Sequence, residues 1–307
     1  MKPDSALSPA VAASVDDLEL AARVVVEGLR AGAHRSPFHG YSAEFQQHRP
    51  YRAGDDLKYL DWKVLARTDR LYTRQFRETT SMSAMVVLDA SASMAFPESG
   101  LSKFRYGSII AAALAYLIIG QGDAAGLLTM ADGALSYVPP KAGRPHLRSL
   151  IARIDRLTPA GRWAPERVIA RAAELLKRRG VVIVISDFYD SEDATRRELR
   201  RAMRRGHDVA MLHLMSPDET SFPYAGTLEL EDLESGERRL LDAGVVGRAY
   251  RTGVTEFLER CRTLAGRDGV DYTLMSTDTP PERALREYLL RRDAPGHGVT
   301  DVHRGGS

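Results

Sequence analysis

Residues Val86–Met94 read VVLDASASM, an apolar run that stops at an acid and then alternates two serines with alanines. The run from Ala84 to Leu88 predicts a short strand covered on both faces. Runs of the same kind recur at Gly126–Met130, Val181–Ile185, Val209–Leu214 and Asp271–Met275. Helix-like segments lie between them: Lys103–Gly120, His146–Leu157, Pro165–Arg179, Ala194–Arg205 and Thr255–Ala265. Pro165 suits an early helical position and Gly180 a position just past the end. Strand and helix therefore alternate, which predicts an α/β fold with a doubly wound, mainly parallel sheet. Ala134–Pro139, close behind Ala131-Asp132-Gly133, reads as an antiparallel edge strand in a hairpin.

In a doubly wound sheet of order 3-2-1-4-5-6, strands one and four flank the point where the order reverses, and ligands sit there, outside the carboxyl ends. Counting the hairpin strands as two and three, Asp89 ends strand one and Asp187, in VVIVISDFYD, ends strand four. The two acids are then expected to meet across the crevice. Asp89, Ser91 and Ser93 stand at i, i+2 and i+4 on a loop leaving a strand, so one carboxylate and two hydroxyls can face a common centre. These are hard oxygen donors, suited to Mg²⁺ or Mn²⁺. The alternative is that Asp89 and Ser93 only cap the following helix.

The 307 residues suffice for one large domain or two ordinary ones, and the 44% hydrophobic and 27% charged content is that of a globular protein. Lys and Arg number 43 against 41 acids, so a net charge of +2 exerts no global pull on nucleic acid or anionic lipid. Arg196–Arg205 and Leu176–Gly180 are arginine-rich, but without interleaved aromatics they read as solvated helix faces. The single cysteine, Cys261, excludes an intrachain disulfide and reads as a small buried hydrophobe. The N-terminus lacks a signal-type apolar core, and the apolar stretch Ile109–Ile119 is short of the ~20 residues a bilayer span needs. The expected location is the cytoplasm, with no membrane span.

Three regions are expected: residues 1–80, with a helix over Val15–Arg30 and then an Arg- and aromatic-rich segment; an α/β domain over 81–292; and a disordered tail over 293–307. Thr73–Phe76 reads as a strand. Within 34–80, opposite charges alternate with aromatics, Arg52 near Asp55 and Asp56, Asp61 near Arg67, with Trp62 between. Arginine holds carboxylates bidentately and lies flat on rings. Two readings fit: a clamp of ion pairs within the chain, or a docking surface for a partner formed by Arg49, Asp55, Asp56, Asp61, Trp62 and Arg67.

DASAS after an apolar strand, with Ser186-Asp187 at the fourth strand, resembles the metal-ion-dependent adhesion site of von Willebrand factor A domains. The resemblance implies a metal held by Asp89, Ser91, Ser93 and Asp187, with one coordination position kept for an acidic side chain of a partner. The family's threonine belongs in the loop TPAGRWAPE, where Trp163 or a neighbour stands instead. The segment Gly40–Phe76, together with LEDLESGERRLLD (Leu230–Asp242) and the closing DYTLMSTDTPPERALREYLLRR, is similar to the domain of unknown function 58 family, in which such a segment precedes a von Willebrand factor A-like domain. That resemblance implies a non-enzymatic adaptor working with an AAA+ ATPase of the MoxR type in protein assembly or maturation.

Enzymatic alternatives lack parts. A Mg-dependent phosphatase using Asp89 as nucleophile wants a second aspartate two residues on, where Ser91 stands. No GxSxG elbow surrounds Ser91 or Ser93, and GQGDAAG (Gly120–Gly126) lacks the Lys-Ser/Thr of a phosphate loop. His213 reads as a core histidine. A third possibility is a scaffold whose metal site has decayed.

Overall fold

The computed structural model describes residues 7–31, 41–51, 61–68, 70–80, 82–97, 100–189 and 192–293. Asp293, the first residue of the expected tail, instead ends a helix; the rest of that tail lies outside them, as do Asp55 and Asp56. The chain divides into two compact units, one of Met1–Pro37 with Ser83–Ser307, the other of Phe38–Met82. This corrects the expected first boundary: the N-terminal helices belong with the α/β unit. The reason is an apolar face. Helix α2 (Leu18–Ala31), preceded by the short α1 (Pro9–Ser14), buries Leu18, Ala21, Ala22, Val25, Val26 and Leu29. Its Gly28 carbonyl accepts a 2.7 Å hydrogen bond from Arg286, near the chain's end.

In the smaller unit β1 (Tyr41–Pro50) pairs antiparallel with β2 (Tyr72–Thr80), with α3 (Trp62–Thr68) between them in sequence. Asp61 caps α3: its Oδ1 accepts the Val64 N–H at 3.1 Å, leaving Asp61 buried.

The larger unit follows the predicted alternation: β3 (Ser83–Asp89), α4 (Lys103–Gly120), β4 (Ala124–Ala131), β5 (Ala134–Lys141), α5 (Arg144–Asp155), α6 (Pro165–Leu175), β6 (Val181–Ser186), α7 (Glu192–Arg204), β7 (Asp208–Met215), α8 (Pro217–Ser221), β8 (Thr227–Glu231), β9 (Arg238–Asp242), α9 (Ala243–Asp268), β10 (Asp271–Ser276) and α10 (Pro281–Asp293). The main sheet has the order β10-β7-β6-β3-β4-β5. Its pairings are parallel except for β4 with the edge strand β5. This is the doubly wound order expected, with β3 and β6 adjacent at its centre, each fully buried from Ala84 or Val181 onward. Among the described residues α4 is the one helix with the length and apolarity to cross a membrane, and 78% of it is buried inside this unit. It is the core helix of the sheet.

Helices α6 and α9 differ from their expected bounds for local reasons. Helix α6 stops at Leu175, because Leu176 is already extended and the chain must run down to Gly180, where a Cβ would lie 2.3 Å from the Ser83 carbonyl oxygen. Helix α9 begins twelve residues before Thr255, at Ala243, because Asp242 caps it and accepts the Gly244 and Val245 N–H groups; its first turns face solvent and show little apolar period. The hairpin β8–β9, paired from Thr227↔Asp242 to Glu231↔Arg238, is almost wholly exposed.

Candidate functional site

Parallel pairing of β3 with β6 aligns Leu88 with Ile185, so Asp89 and Ser186 come next on adjoining strands. Asp89 is fully buried there. Its Oδ1 accepts the Ser91 N–H at 2.8 Å and its Oδ2 accepts the Ser186 hydroxyl at 2.6 Å. Ser91 is buried and Ser93 half-buried, their hydroxyl oxygens 3.1 Å apart, in a loop that passes through a 3-10 turn over Ala92–Ala95. The loop after α5 is stitched to this one by backbone bonds, Ala160 N–H to Ala90 O and Ala92 N–H to Gly161 O, both 2.9 Å. Gly161 is needed for the junction: its φ is +71° and a Cβ would lie 2.7 Å from Asp132 Cα.

Asp187 follows β6. The next residue, Phe188, takes the left-handed conformation at φ +55°, unusual for a bulky side chain and of order 1–3 kcal/mol in cost. Its N–H donates to Ser186 Oγ at 3.0 Å and its ring is buried, edge-on to His213. That turn presents the Asp187 carboxylate to a group the sequence reading missed. Lys103, the first residue of α4, is 1% exposed and its Nζ donates to Asp187 Oδ2 at 2.7 Å and to Glu219 Oε1 at 2.5 Å. The ammonium also lies 5.0 Å from the centre of the Tyr189 ring. Glu219, on α8, is itself held: its Oε2 accepts the Ser216 N–H in a capping box.

The electrostatics follow from this burial. Asp89 is pushed up from 3.8 to about 7, first by burial and then by the negative charge of Asp187; the hydrogen bonds from Ser186 and Ser91 act the other way. Burial disfavours the charged Lys103, yet the charges of Asp187 and Glu219 and the hydrogen bonds to both outweigh it and raise its proton affinity. Glu219 is raised by burial, against the pull of Lys103. His213 is lowered to about 4 by burial, and its Nδ1 pairs with the Tyr272 hydroxyl at 3.0 Å. It is the neutral core histidine expected.

The structure thus brings Asp89, Ser91, Ser93 and Asp187 to one crevice. Of the other docking candidates, Arg49 pairs in register with Thr73, Arg67 is exposed in the last turn of α3, and Trp62 is 63% exposed rather than packed. Trp163 is partly buried and packs against the hydrophobic core.

This donor set does not suit a divalent ion as it stands. Asp187 already neutralises an ammonium, and both Asp89 oxygens are engaged within the chain. Among the described residues no group of three His, Cys, Asp or Glu side chains is arranged to hold a metal.

Sheet order, switch-point acids and the serine loop together define an α/β domain of the von Willebrand factor A-like kind. The chain belongs to the family described as "Protein of unknown function DUF58", whose model matches residues 47–260. An uncharacterized protein of Mycobacterium tuberculosis is 31% identical over 266 residues, covering 84% of this chain and 82% of that one. The uncharacterized protein YeaD of Bacillus subtilis is 27% identical over 139 residues, 43% of this chain and 33% of its own. Among solved structures, an aerotolerance-related membrane protein from Bacteroides fragilis covers 69% of this chain and 100% of its own at 17% identity and a TM-score of 0.47. BatB from Bacteroides thetaiotaomicron covers 69% and 98% at 16% identity and a TM-score of 0.46.

Proposed function

We propose that the chain is a non-enzymatic protein-interaction module of the cytoplasm, which docks a partner at the crevice over Asp89, Ser91, Ser93 and Asp187. The observation that carries this reading is the state of the polar groups there. Two acids, two serines and a lysine converge at the switch point, and each acid is bound within the chain, so no free base stands beside a nucleophile. The nearby His213 is buried, bonded at Nδ1 to the Tyr272 hydroxyl, and lowered by burial to about 4. Groups bound in this way hold the loops around the crevice in a fixed shape, which suits docking over turnover. Exposed Trp62 marks the smaller unit as a second contact, since a large aromatic surface is a common anchor at interfaces.

The partner that fits family membership is an AAA+ ATPase of the MoxR type, with the chain as its adaptor. Binding of the purified protein to such an ATPase from the same genome, read by light scattering or surface resonance, tests this. Ser93→Arg is expected to weaken the complex at least ~10-fold by crowding the crevice mouth, and Trp62→Ala to weaken it as an interface aromatic does. Unchanged binding in both variants would move the docking surface elsewhere. Release of phosphate from phosphomonoesters, abolished by Asp89→Asn, would replace the whole reading with the phosphatase.

A magnesium or manganese ion bridging to an acidic side chain of the partner is the competing reading of the same site. The hydroxyls it would use, of Ser91 and Ser93, stand 3.1 Å apart and are hydrogen-bonded to each other. Titration of Mn²⁺ into the wild type decides it.

A further inference from the structure

We propose that Lys103 is the resident cation of this crevice, an ammonium tethered to α4 that takes the place of a divalent metal between the switch-point acid and α8. Partner docking is then independent of metal. That last consequence rests on the docking role proposed above; the ionic assignment does not.

Three features of Lys103 point away from an ordinary core lysine. It opens a helix, directly after the capping residue Ser102, where the backbone dipoles repel a cation. Its side chain is 1% exposed, so its charge has lost its hydration. It has exchanged water for two carboxylates, of Asp187 and Glu219, whose own side chains are 3% and 9% exposed. A buried cation against both desolvation and a helix dipole persists only where it is fully paired. The pairing also fixes geometry. Asp187 comes from the end of β6, Glu219 from α8, Lys103 from the start of α4, so one ammonium ties three elements around the serine loop. A metal on the same two carboxylates would join β6 to α8 but leave α4 untied, and a second positive centre next to Nζ would be repelled at close range.

The two carboxylate oxygens that grip Nζ lie within 2.7 Å of one point. Removing the ammonium leaves two converging carboxylates, hard oxygen donors of the kind that hold Mn²⁺. Lys103→Ala should therefore create the metal site that the wild type lacks.

The test is calorimetric titration of Mn²⁺ into the isolated full-length chain, paired with thermal unfolding in EDTA and in millimolar Mn²⁺. Wild type is expected to give no saturable heat and the same Tm in both buffers. Lys103→Ala is expected to melt lower in EDTA, to bind one Mn²⁺, and to gain about 5 °C when Mn²⁺ is added. Adding Asp187→Asn should abolish that gain. Saturable binding of one Mn²⁺ to wild type, lost in Asp89→Ala, would overturn the proposal, and that arm needs no lysine variant to fold. So would a folded Lys103→Ala that binds no Mn²⁺. No partner enters these measurements, so their failure is distinct from failure of the docking role.

Discussion

Asp89 and Asp232 have the same local chemistry and opposite fates. Each follows or ends a strand and accepts backbone N–H groups just ahead of it, Asp89 from Ser91, Asp232 from Glu234 and Ser235. Asp232, in the exposed turn of the β8–β9 hairpin, is lowered by those bonds. Asp89, in the crevice, is raised to about 7, because burial and Asp187 outweigh them. Hydrogen bonding is shared; desolvation decides. The same contrast separates the ion pairs of the two regions. Lys103 is sealed between its acids, while Arg238 meets Glu231 at 2.8 Å with side chains 59% and 44% exposed.

The contrast can be broken at its strongest point first. Lys103→Met is expected to destabilise the chain by about 3–5 kcal/mol in denaturant unfolding, since it strands buried carboxylates. A loss near that of a surface arginine would mean the triad is solvated. Next comes pH. Asp89 binds a proton more tightly folded than unfolded, so its contribution to stability is present below the unfolded value of 3.8 and is lost as pH rises to about 7. His213, lowered to about 4, acts in the opposite sense: its contribution is present above the unfolded value of 6.5 and is lost as pH falls. Stability measured from pH 4 to 7 should therefore fall less steeply, or rise more, in Asp89→Asn than in wild type. Identical slopes would show that Asp89 is not raised by its burial.

Smaller still is Gly180→Ala, expected to cost about 1–3 kcal/mol because the Cβ meets the Ser83 carbonyl at the foot of the central strand pair. Smallest is Arg238→Ala on the hairpin, expected to fall within about 0.5 kcal/mol of wild type, as exposed pairs do. A larger loss there would mean that this hairpin is covered in solution.

How legible each part was follows from range in sequence. The main sheet could be read because strands β3, β4, β6, β7 and β10 are continuous apolar runs and the turn Ala131-Asp132-Gly133 announces its edge hairpin. Asp89 and Asp187 could be paired because topology alone brings strand ends together. Lys103 could not, because its partners lie 84 and 116 residues away. One local signal was present: a lysine at the start of a mostly apolar helix, at its unfavourable end. The β8–β9 hairpin alternates Leu with Glu and Arg and buries little, so its residues carry no clear face; only the family likeness marked Leu230–Asp242.

The capping box that pins Glu219 bears on the order of folding. Local bonds can form α8 early, and α4 likewise has its own cap, so both ends of the tie can exist before it closes. Closing it joins residues 84 and 116 apart and dehydrates three charges, an entropic and electrostatic toll that places the step after the folding barrier. Loss of the lysine should then appear almost entirely as faster unfolding, with the refolding limb of the chevron shifted by less than about twofold. On that account the triad acts as a latch on a domain already assembled, setting how long it stays folded more than how fast it folds.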